Sequence, residues 1–534
     1  MKKIVFSLSL LIGTVIARFV FFGPTPLEKA EKAFAAGKPA VSVSIVTHAL
    51  ESSQMKSNEE IPLRELLARS YLAKGSLEMA EIEWRSLIKK DPKNFEAHLG
   101  LGSLNFAMDR LNFAKDYLIV AKSIKPNDFR PVFLLGALLT EKRDFDEAEN
   151  LIKSALLQWP ENHKLTEILG DIYFDRGYFR EALSTYSLLV NDTTSDWPIK
   201  FKQAKAFLFS GDLSSAEKLV KELRPKGRED VSVEALNAHI LYAQGKKDEY
   251  FSYWKKVYKE DNRNLESGVV VAIYLAEKGD YSGAEILLKP MEEKLLPLGG
   301  LNSPYEGLTT QDLERLQAIK KAALKQHLSY QLANAKIAEL KNQYNTAETF
   351  INRSLALDSE DAEVLLAAAK LAHLKGSPKD ELNWTQKLVD TYKGHPLALI
   401  QRANALYSLG KYADFISDVQ AVADAYPKMA QAQALMVKSF LLQKNKQKAL
   451  EFAKIAIQLN PGDSTAHLSL ALAQSALGYH ESAKSSFLKS ISLDPRNAET
   501  RYLFSKELLA TGQKKESETQ WQEAHQLEPL VYAQ

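Results

Sequence analysis

The chain has 534 residues, of which 45% are hydrophobic and 25% are charged, and its formal net charge is +2. A chain of this length normally divides into several domains, and this composition is typical of a folded protein. The near-zero net charge gives no overall field that favours nucleic acid. The absence of cysteine excludes disulfides, thiolate metal sites and cysteine nucleophiles.

Residues 1–22 have the pattern of a membrane-directed segment. Lys2 and Lys3 precede an apolar run from Ile4 to Phe22, close to the roughly 20 residues that a membrane-spanning helix needs. Two lysines before such a run favour a cytoplasmic N-terminus. The other interpretation is a signal peptide that is cleaved after Ala17. We therefore expect an exported protein, either anchored in the inner membrane with its remainder in the periplasm or periplasmic after cleavage.

A period of 34 residues runs through most of the remaining chain. In the first block, repeats start at residues 61, 95, 129, 163, 197, 231 and 265. In the second block, they start at residues 328, 362, 396, 430, 464 and 498. Neither block contains an insertion or a deletion, so the pattern gives seven repeats and then six.

Two positions of the repeat usually hold a small residue. At the eighth position the residues are Ala68, Gly102, Gly136, Gly170, Ala204, Ala238, Ala272, Ala335, Ala369, Ala403, Val437, Ala471 and Ser505. At the twentieth position most repeats have Ala, whereas three have Tyr250, Glu381 and Phe415. Small residues in both halves allow two antiparallel helices to approach closely, and the glycines near position fifteen suit the turn between them. The packing of the three exceptional repeats is not predicted by this pattern.

A proline near the end of many repeats stops the second helix, because the residue before proline disfavours helical ψ. Asn or Asp follows two residues later, as in Asp91-Pro92-Lys93-Asn94. Its side chain is predicted to cap the next helix by accepting from free backbone N–H groups.

This pattern resembles the tetratricopeptide repeat (TPR) family. The resemblance implies an all-α fold, namely a right-handed superhelical solenoid of antiparallel helix pairs with about 13 repeats plus one degenerate N-terminal repeat. The predicted divisions are a membrane anchor or signal (1–22), a degenerate capping repeat (23–60), a first TPR block (61–298), a loop and linker helix (299–327), and a second TPR block (328–534). Residues 311–341 are predicted to form either one long helix or a helix broken near His327.

No catalytic constellation is present in the sequence. The stretch Gly100-Leu101-Gly102-Ser103 lies where the repeat places a helix, so it does not predict a phosphate loop. The ten histidines are scattered, and His239 and His373 are interpreted as solvated residues near the groove. We expect no enzyme activity, no catalytic residues, no cofactor and no metal site.

The resemblance implies that the first helices line a concave groove, into which the ninth position of each repeat points. In the second block this position carries Lys336, Lys370, Asn404, Lys438 and Lys506, with Leu472 between the last two. We expect this basic stripe to bind an acidic peptide, a chain carboxylate or an anionic polymer. The alternative is an ordinary solvated helix face.

The carboxylate clamp of the family is not reproduced, because the fifth positions hold apolar residues: Leu366, Ile400 and Ala434. The expected function is a non-catalytic protein–protein interaction scaffold that assembles an envelope complex in polysaccharide export, protein sorting or secretion. The alternative is a regulatory subunit of an envelope enzyme that binds an acidic peptide or an anionic polymer. The expected partners are envelope proteins or peptides and not nucleic acid, with membrane contact through residues 4–22.

Overall fold

The computed structural model describes residues 24–51, 57–190, 196–224, 231–293, 295 and 310–532. In this part of the chain there are 28 helices and no strand. The prediction of an all-α fold built from helix pairs is therefore confirmed.

In the first half of the chain the helices are α1 Pro26–Ala35, α2 Pro39–Glu51, α3 Ser57–Ala73, α4 Leu77–Lys90, α5 Phe95–Ala107, α6 Leu111–Ile124, α7 Arg130–Glu141, α8 Phe145–Gln158, α9 His163–Arg176, α10 Phe179–Ser187, α11 Trp197–Phe209, α12 Leu213–Leu223, α13 Val231–Ala243, α14 Lys247–Glu260, α15 Leu265–Glu277 and α16 Tyr281–Glu292. In the second half they are α17 Thr310–Leu340, α18 Tyr344–Leu357, α19 Ala362–Leu374, α20 Pro378–Thr391, α21 Pro396–Ser408, α22 Tyr412–Ala425, α23 Ala430–Leu442, α24 Lys446–Leu459, α25 Ser464–Ala476, α26 His480–Leu493, α27 Ala498–Ala510 and α28 Lys514–Leu527.

The helices form pairs in the predicted register. The pair α1–α2 corresponds to the degenerate first repeat, and each later repeat supplies one further pair. Between the two blocks, α17 runs without a break from Thr310 to Leu340. Of the two alternatives for this region, the structure therefore has the continuous helix.

Most of the predicted helix caps are formed. The side chain of Asn94 accepts a hydrogen bond from the backbone N–H of Ala97 at 2.8 Å, and Asn497 accepts from Thr500 at the same distance. Asp128 is an exception: its carboxylate accepts from the backbone N–H of Arg130, the first residue of α7, at 2.9 Å and also pairs with the guanidinium of Arg130, while the N-cap residue of α7 is Phe129. Capping by Asn or Asp is thus the usual, but not universal, way in which a repeat begins.

The small positions allow close helix packing, as predicted. Ala80, Ala114 and Ala148 at the twentieth position are completely buried. At the eighth position, a Cβ added to Gly102 would lie 2.6 Å from Cδ2 of Leu118 on the paired helix. A larger side chain at either position would separate the two helices, because a packed core does not accommodate extra volume without strain.

The chain divides into two compact units. The first comprises Met1–Pro160 and Pro297–Ala323, and the second comprises Glu161–Leu296 and Leu324–Gln534. These units do not follow the two predicted repeat blocks, and the predicted domain boundaries stay a prediction.

The first unit has hydrophobic clusters between its successive helix pairs. The indole of Trp84 is 2% exposed and packs with Leu72 and Leu101. Gly100 provides the space for this ring, since a Cβ there would lie 2.6 Å from Cζ2 of Trp84. Between α2 and α3, the buried hydroxyl of Ser70 donates to that of Ser42 at 2.9 Å.

In the second unit, turns that are distant in sequence contact one another. The hydroxyl of Tyr426 donates to the carbonyl oxygens of Gly177 at 2.7 Å and Gly394 at 3.0 Å. The side-chain amide of Asn460 donates to the carbonyl oxygen of Ala243 at 2.7 Å, across 217 residues of sequence. In this unit, repeats that are distant in sequence therefore contact one another through their turns.

None of the described helices combines the length and the apolar composition needed to cross a bilayer. The predicted membrane segment, residues 1–22, lies outside the described residues.

Candidate functional site

The second unit contains a cavity of about 1350 Å³, which we call the groove. It is lined by residues of α13, α14 and α15 on one side and by the first helices of the second block, α17, α19, α21, α23 and α27, on the other. All five residues of the predicted stripe lie in this lining: Lys336, Lys370, Asn404, Lys438 and Lys506. The structure brings them together, and their binding of a partner stays a prediction.

The first two lysines of the stripe have acidic neighbours. The ammonium nitrogen of Lys336 lies 3.7 Å from a carboxylate oxygen of Glu339, one turn later on the same helix. The ammonium nitrogen of Lys370 lies 3.3 Å from Glu528, which is 158 residues away in sequence. Their charges are therefore partly compensated within the chain.

The other two lysines also have partners. The ammonium nitrogen of Lys438 lies 2.7 Å from the carboxylate of Glu499 and 5.2 Å from the centre of the Tyr407 ring. Burial lowers the pKa of Lys438, but the charge of Glu499 outweighs this effect and raises it. Lys506 lies 4.3 Å from the centre of the Tyr502 ring. Lys438 is thus held as a cation across the groove.

The charges that line the groove are nearly balanced, since His373 adds one cation to the Lys and Arg residues. Its lining contains eight Lys or Arg residues and eight Asp or Glu residues. Because each stripe lysine has an acidic or aromatic neighbour, the stripe does not produce a one-sided positive field of the kind that attracts polyanions.

An ionic cluster joins the helix pair α19–α20 to the residues after α28. Nδ1 of His373 lies 3.1 Å from the carboxylate of Glu381, and its Nε2 lies 3.5 Å from the carboxylate of Glu528. Lys370 completes the cluster. We call these four residues, Lys370, His373, Glu381 and Glu528, the Glu528 cluster.

The cluster shifts the titration of its members. Burial by itself lowers the pKa of His373, but hydrogen bonds with Glu381 and Glu528 raise it to about 9. Burial by itself raises the pKa of Glu528, but the hydrogen bond with His373 and the charge of Lys370 lower it to about 2. At neutral pH His373 is therefore a cation and Glu528 an anion.

We expect the pKa of His373 to lie above the ordinary value of histidine and the pKa of His395 to lie below it. Since the pKa of His373 is raised from 6.5 to about 9, its contribution to stability is complete below pH 6.5 and is lost as pH rises through about 9. The lowered pKa of Glu528 gives a contribution that is complete above pH 4.5 and is lost as pH falls toward about 2. Burial lowers the pKa of His395 to about 4, so its neutral form stabilises the fold above pH 6.5 and this contribution is lost as pH falls through about 4.

NMR titration of histidine-labelled protein measures both values, with the two signals assigned by their absence in His373→Gln and His395→Gln. In Glu528→Gln the midpoint of His373 should fall, whereas that of His395 should not change. A midpoint of His373 near 6.5 in the wild type would contradict the geometry of the cluster.

The repeat pattern does not predict this cluster, because it indicates a solvated residue at His373 and only a departure from the repeat at Glu381. A signal was nevertheless present. A carboxylate in place of a buried alanine requires a charged or hydrogen-bonding partner, and His373 lies on the first helix of the same repeat. His239, the other histidine singled out, lies 3.3 Å from Glu266 and is not part of the groove lining.

Within the described ranges, no group of three or more His, Asp or Glu residues is arranged to hold a metal ion. The expectation that the protein is not an enzyme stays a prediction.

Models of the tetratricopeptide repeat match the sequence in three places: residues 133–196, 400–464 and 464–497. The chain therefore contains tetratricopeptide repeats, in agreement with the resemblance carried by its 34-residue period. No curated protein matches the sequence significantly.

Three solved structures illustrate the similarity. The first is Cut9–Hcn1, a hetero-tetramer of APC/C, with 13% identity, coverage of 92% of this chain and 97% of that chain, and a TM-score of 0.44. The second is a thermophilic TPR protein from Thermus thermophilus, with 18% identity, coverage of 34% and 99%, and a TM-score of 0.30. The third is MamA, from residue 41 to its end, of Desulfovibrio magneticus, with 21% identity, coverage of 32% and 95%, and a TM-score of 0.23.

The repeats define the general class of function. Tetratricopeptide repeats imply a scaffold for protein–protein interaction.

Proposed function

We propose that the protein is a non-catalytic scaffold that binds an extended polypeptide segment of a partner in the groove of its second unit. The observation that carries this proposal is the groove itself, which has a volume of about 1350 Å³ and contains the whole predicted stripe. Small-molecule sites usually measure about 300–1000 Å³, so the groove is large for a metabolite and suitable for several residues of a peptide.

The chemistry of the lining favours a polypeptide over an anionic polymer. Cations and anions are nearly equal in number there, with His373 counted among the cations, so a partner with side chains of both signs is matched better than a polyanion. Gln401 and Asn404 supply amide groups that can pair with a peptide backbone, and Tyr407 and Tyr502 supply aromatic surface.

We also propose that the scaffold acts in the cell envelope, tethered through residues 4–22 or exported by a cleaved signal. The support is the sequence of the first 22 residues, with two lysines before a long apolar run. The partners would then be envelope proteins of a polysaccharide export, protein sorting or secretion system.

Site-specific photo-cross-linking in the native cell tests both proposals. A photoreactive amino acid is placed at Asn404, which lies inside the groove, and in a matched strain at Lys454, which is exposed on α24 outside the groove lining. Position 404 is chosen because the substitution leaves the lysine–carboxylate contacts of the groove in place. Cross-linked proteins are identified by mass spectrometry.

We expect position 404 to capture discrete proteins that position 454 does not, and we expect them to be envelope proteins. Several structural partners would support the scaffold, whereas one stoichiometric enzyme would indicate the alternative role of a regulatory subunit. Equal capture at both positions, or none at 404, would contradict binding in the groove. Capture of proteins from another compartment would contradict the envelope role alone.

A further inference from the structure

Residues 526–532, which we call the closing segment, comprise the last two residues of α28 and the five residues that follow it, and they lie against the groove. Glu528, Val531 and Tyr532 are part of the groove lining. The side-chain amide of Asn342, in the turn after α17, donates to the carbonyl oxygen of Gln526 at 3.3 Å. The ring of Tyr532 packs on Tyr502 of α27, with 4.7 Å between the ring centres. The closing segment therefore contacts both ends of the second block.

The carboxylate of Glu528 is the best-held group of this segment. It is only 14% exposed and contacts two cations on α19, at 3.3 Å from Lys370 and 3.5 Å from His373. The imidazole is oriented from its other side by Glu381, whose side chain is 7% exposed. If Glu528 left, two cations would face the groove with one buried carboxylate behind them. Such an arrangement suits another carboxylate, since charge-assisted hydrogen bonds are strong.

The rest of the closing segment is only partly buried. In this described stretch every side chain is half-buried or exposed, and Leu530 is 53% exposed. Little apolar surface is therefore removed from water, and segments of this kind open locally at low free-energy cost. Glu528 forms the ion pairs of the segment, and its other contacts are the hydrogen bond from Asn342 and the ring contact between Tyr532 and Tyr502.

We propose that Lys370 and His373 form a carboxylate-binding site, that Glu528 occupies this site in the free protein, and that an acidic side chain of a partner polypeptide displaces the closing segment to bind there. The closing segment thus acts as an internal competitor. This inference rests on the proposed function, because the partner is the polypeptide that binds in the groove, and it adds the chemical group that is recognised.

A peptide of the chain's own residues 522–532 provides a defined probe for this site. Its binding to the full-length protein is measured by fluorescence anisotropy after labelling the peptide. In the wild type the attached Glu528 competes at a high effective concentration, so the free peptide should bind weakly. In Glu528→Gln the site is vacated, and the peptide should bind at least about tenfold more tightly.

The matched control is Glu518→Gln, which removes the same charge from an exposed position of α28 and should bind the peptide as the wild type does. Two further arms locate the site. Lys370→Gln in the Glu528→Gln background should abolish the gain. A peptide in which only Glu528 is replaced by glutamine, with Glu523 kept, should also lose it.

A second variant releases the closing segment without changing any charge. At Gly376 a Cβ would lie 2.9 Å from the carbonyl oxygen of Leu530, so Gly376→Ala should push the segment away and also increase peptide binding. Gly410→Ala is its control, because Gly410 also has a positive φ but has no atom within 4 Å of an added Cβ. Circular dichroism establishes that each variant is folded.

The inference is overturned if neither Glu528→Gln nor Gly376→Ala increases peptide binding, or if the glutamine peptide binds as tightly as the original. A peptide that binds as expected, together with no capture at position 404 in the cell, would overturn the proposed function while leaving the carboxylate site. Capture at position 404 without the gain in peptide binding would leave the proposed function and overturn this site.

Discussion

Replacing Phe415 with alanine should destabilise the protein by about 3–5 kcal/mol, although alanine is the residue that most repeats have at this position. The phenyl ring is completely buried and its centre lies 5.2 Å from that of Tyr407. It packs in a core that includes Leu406 and Val419. Alanine would leave a cavity, because the neighbouring helices are positioned around the larger ring.

Urea denaturation followed by circular dichroism measures this loss as a shift of the midpoint. Leu488→Ala is the control, because Leu488 is 50% exposed and its truncation should cost no more than about 0.5 kcal/mol. If Phe415→Ala lowered the free energy of unfolding no more than the control does, α21 and α22 would be able to approach each other as closely as the helices of an alanine-containing repeat. The buried packing of Phe415 would then be wrong.

Gly177→Ala should be the more damaging of two alanine substitutions at glycines with nearly the same backbone conformation. The φ angle is 89° at Gly177 and 90° at Gly279. Alanine in this left-handed region costs about 1–2 kcal/mol, and this cost applies to both. At Gly177 the new Cβ would also lie 2.6 Å from the backbone nitrogen of His395, whereas at Gly279 it would meet nothing within 4 Å.

The additional loss at Gly177 should be about 1–3 kcal/mol, the usual cost of overpacking. It also includes the displacement of Gly177 from Tyr426, whose hydroxyl donates to its carbonyl oxygen. Differential scanning calorimetry of the two variants gives the comparison directly, with Gly279→Ala as the matched control. Equal losses of stability would show that the turns of Gly177 and His395 do not touch in solution.

Much of the fold could be predicted from the sequence, because the determinants of a repeat are local. Helix starts such as Phe95, His163 and Ala498 coincide with the predicted repeat starts. The proline carbonyls, by contrast, take part in a recurring contact that was not predicted. Nε2 of His98 lies 3.0 Å from the carbonyl oxygen of Pro92, and Nε2 of His467 lies 3.0 Å from that of Pro461. This contact depends on side-chain direction within the turn, which a count of positions does not contain.

The candidate site could be predicted only in part. Lys336, Lys370 and Lys438 each stand at the ninth position of a repeat, and residues at the same repeat position share a face of the array. Their common position therefore predicted that they would lie in one groove, as they do. Their acidic partners could not be found in this way. Glu499 and Glu528 lie 61 and 158 residues from the lysines that they contact, and the return of the chain that joins them is a tertiary property.

The contacts between distant turns in the second unit have a consequence for how this unit unfolds. In a repeat array whose repeats contact only their neighbours, stability is a sum of local contributions, and repeats can be lost one by one from an end. Here Asp212 contacts Lys428, and Ala243 contacts Asn460, across 216 and 217 residues. Losing either partner segment removes contacts from the other, so the second unit should unfold as one cooperative block. It should also fold more slowly than a simple array, because these distant pairs have to meet first.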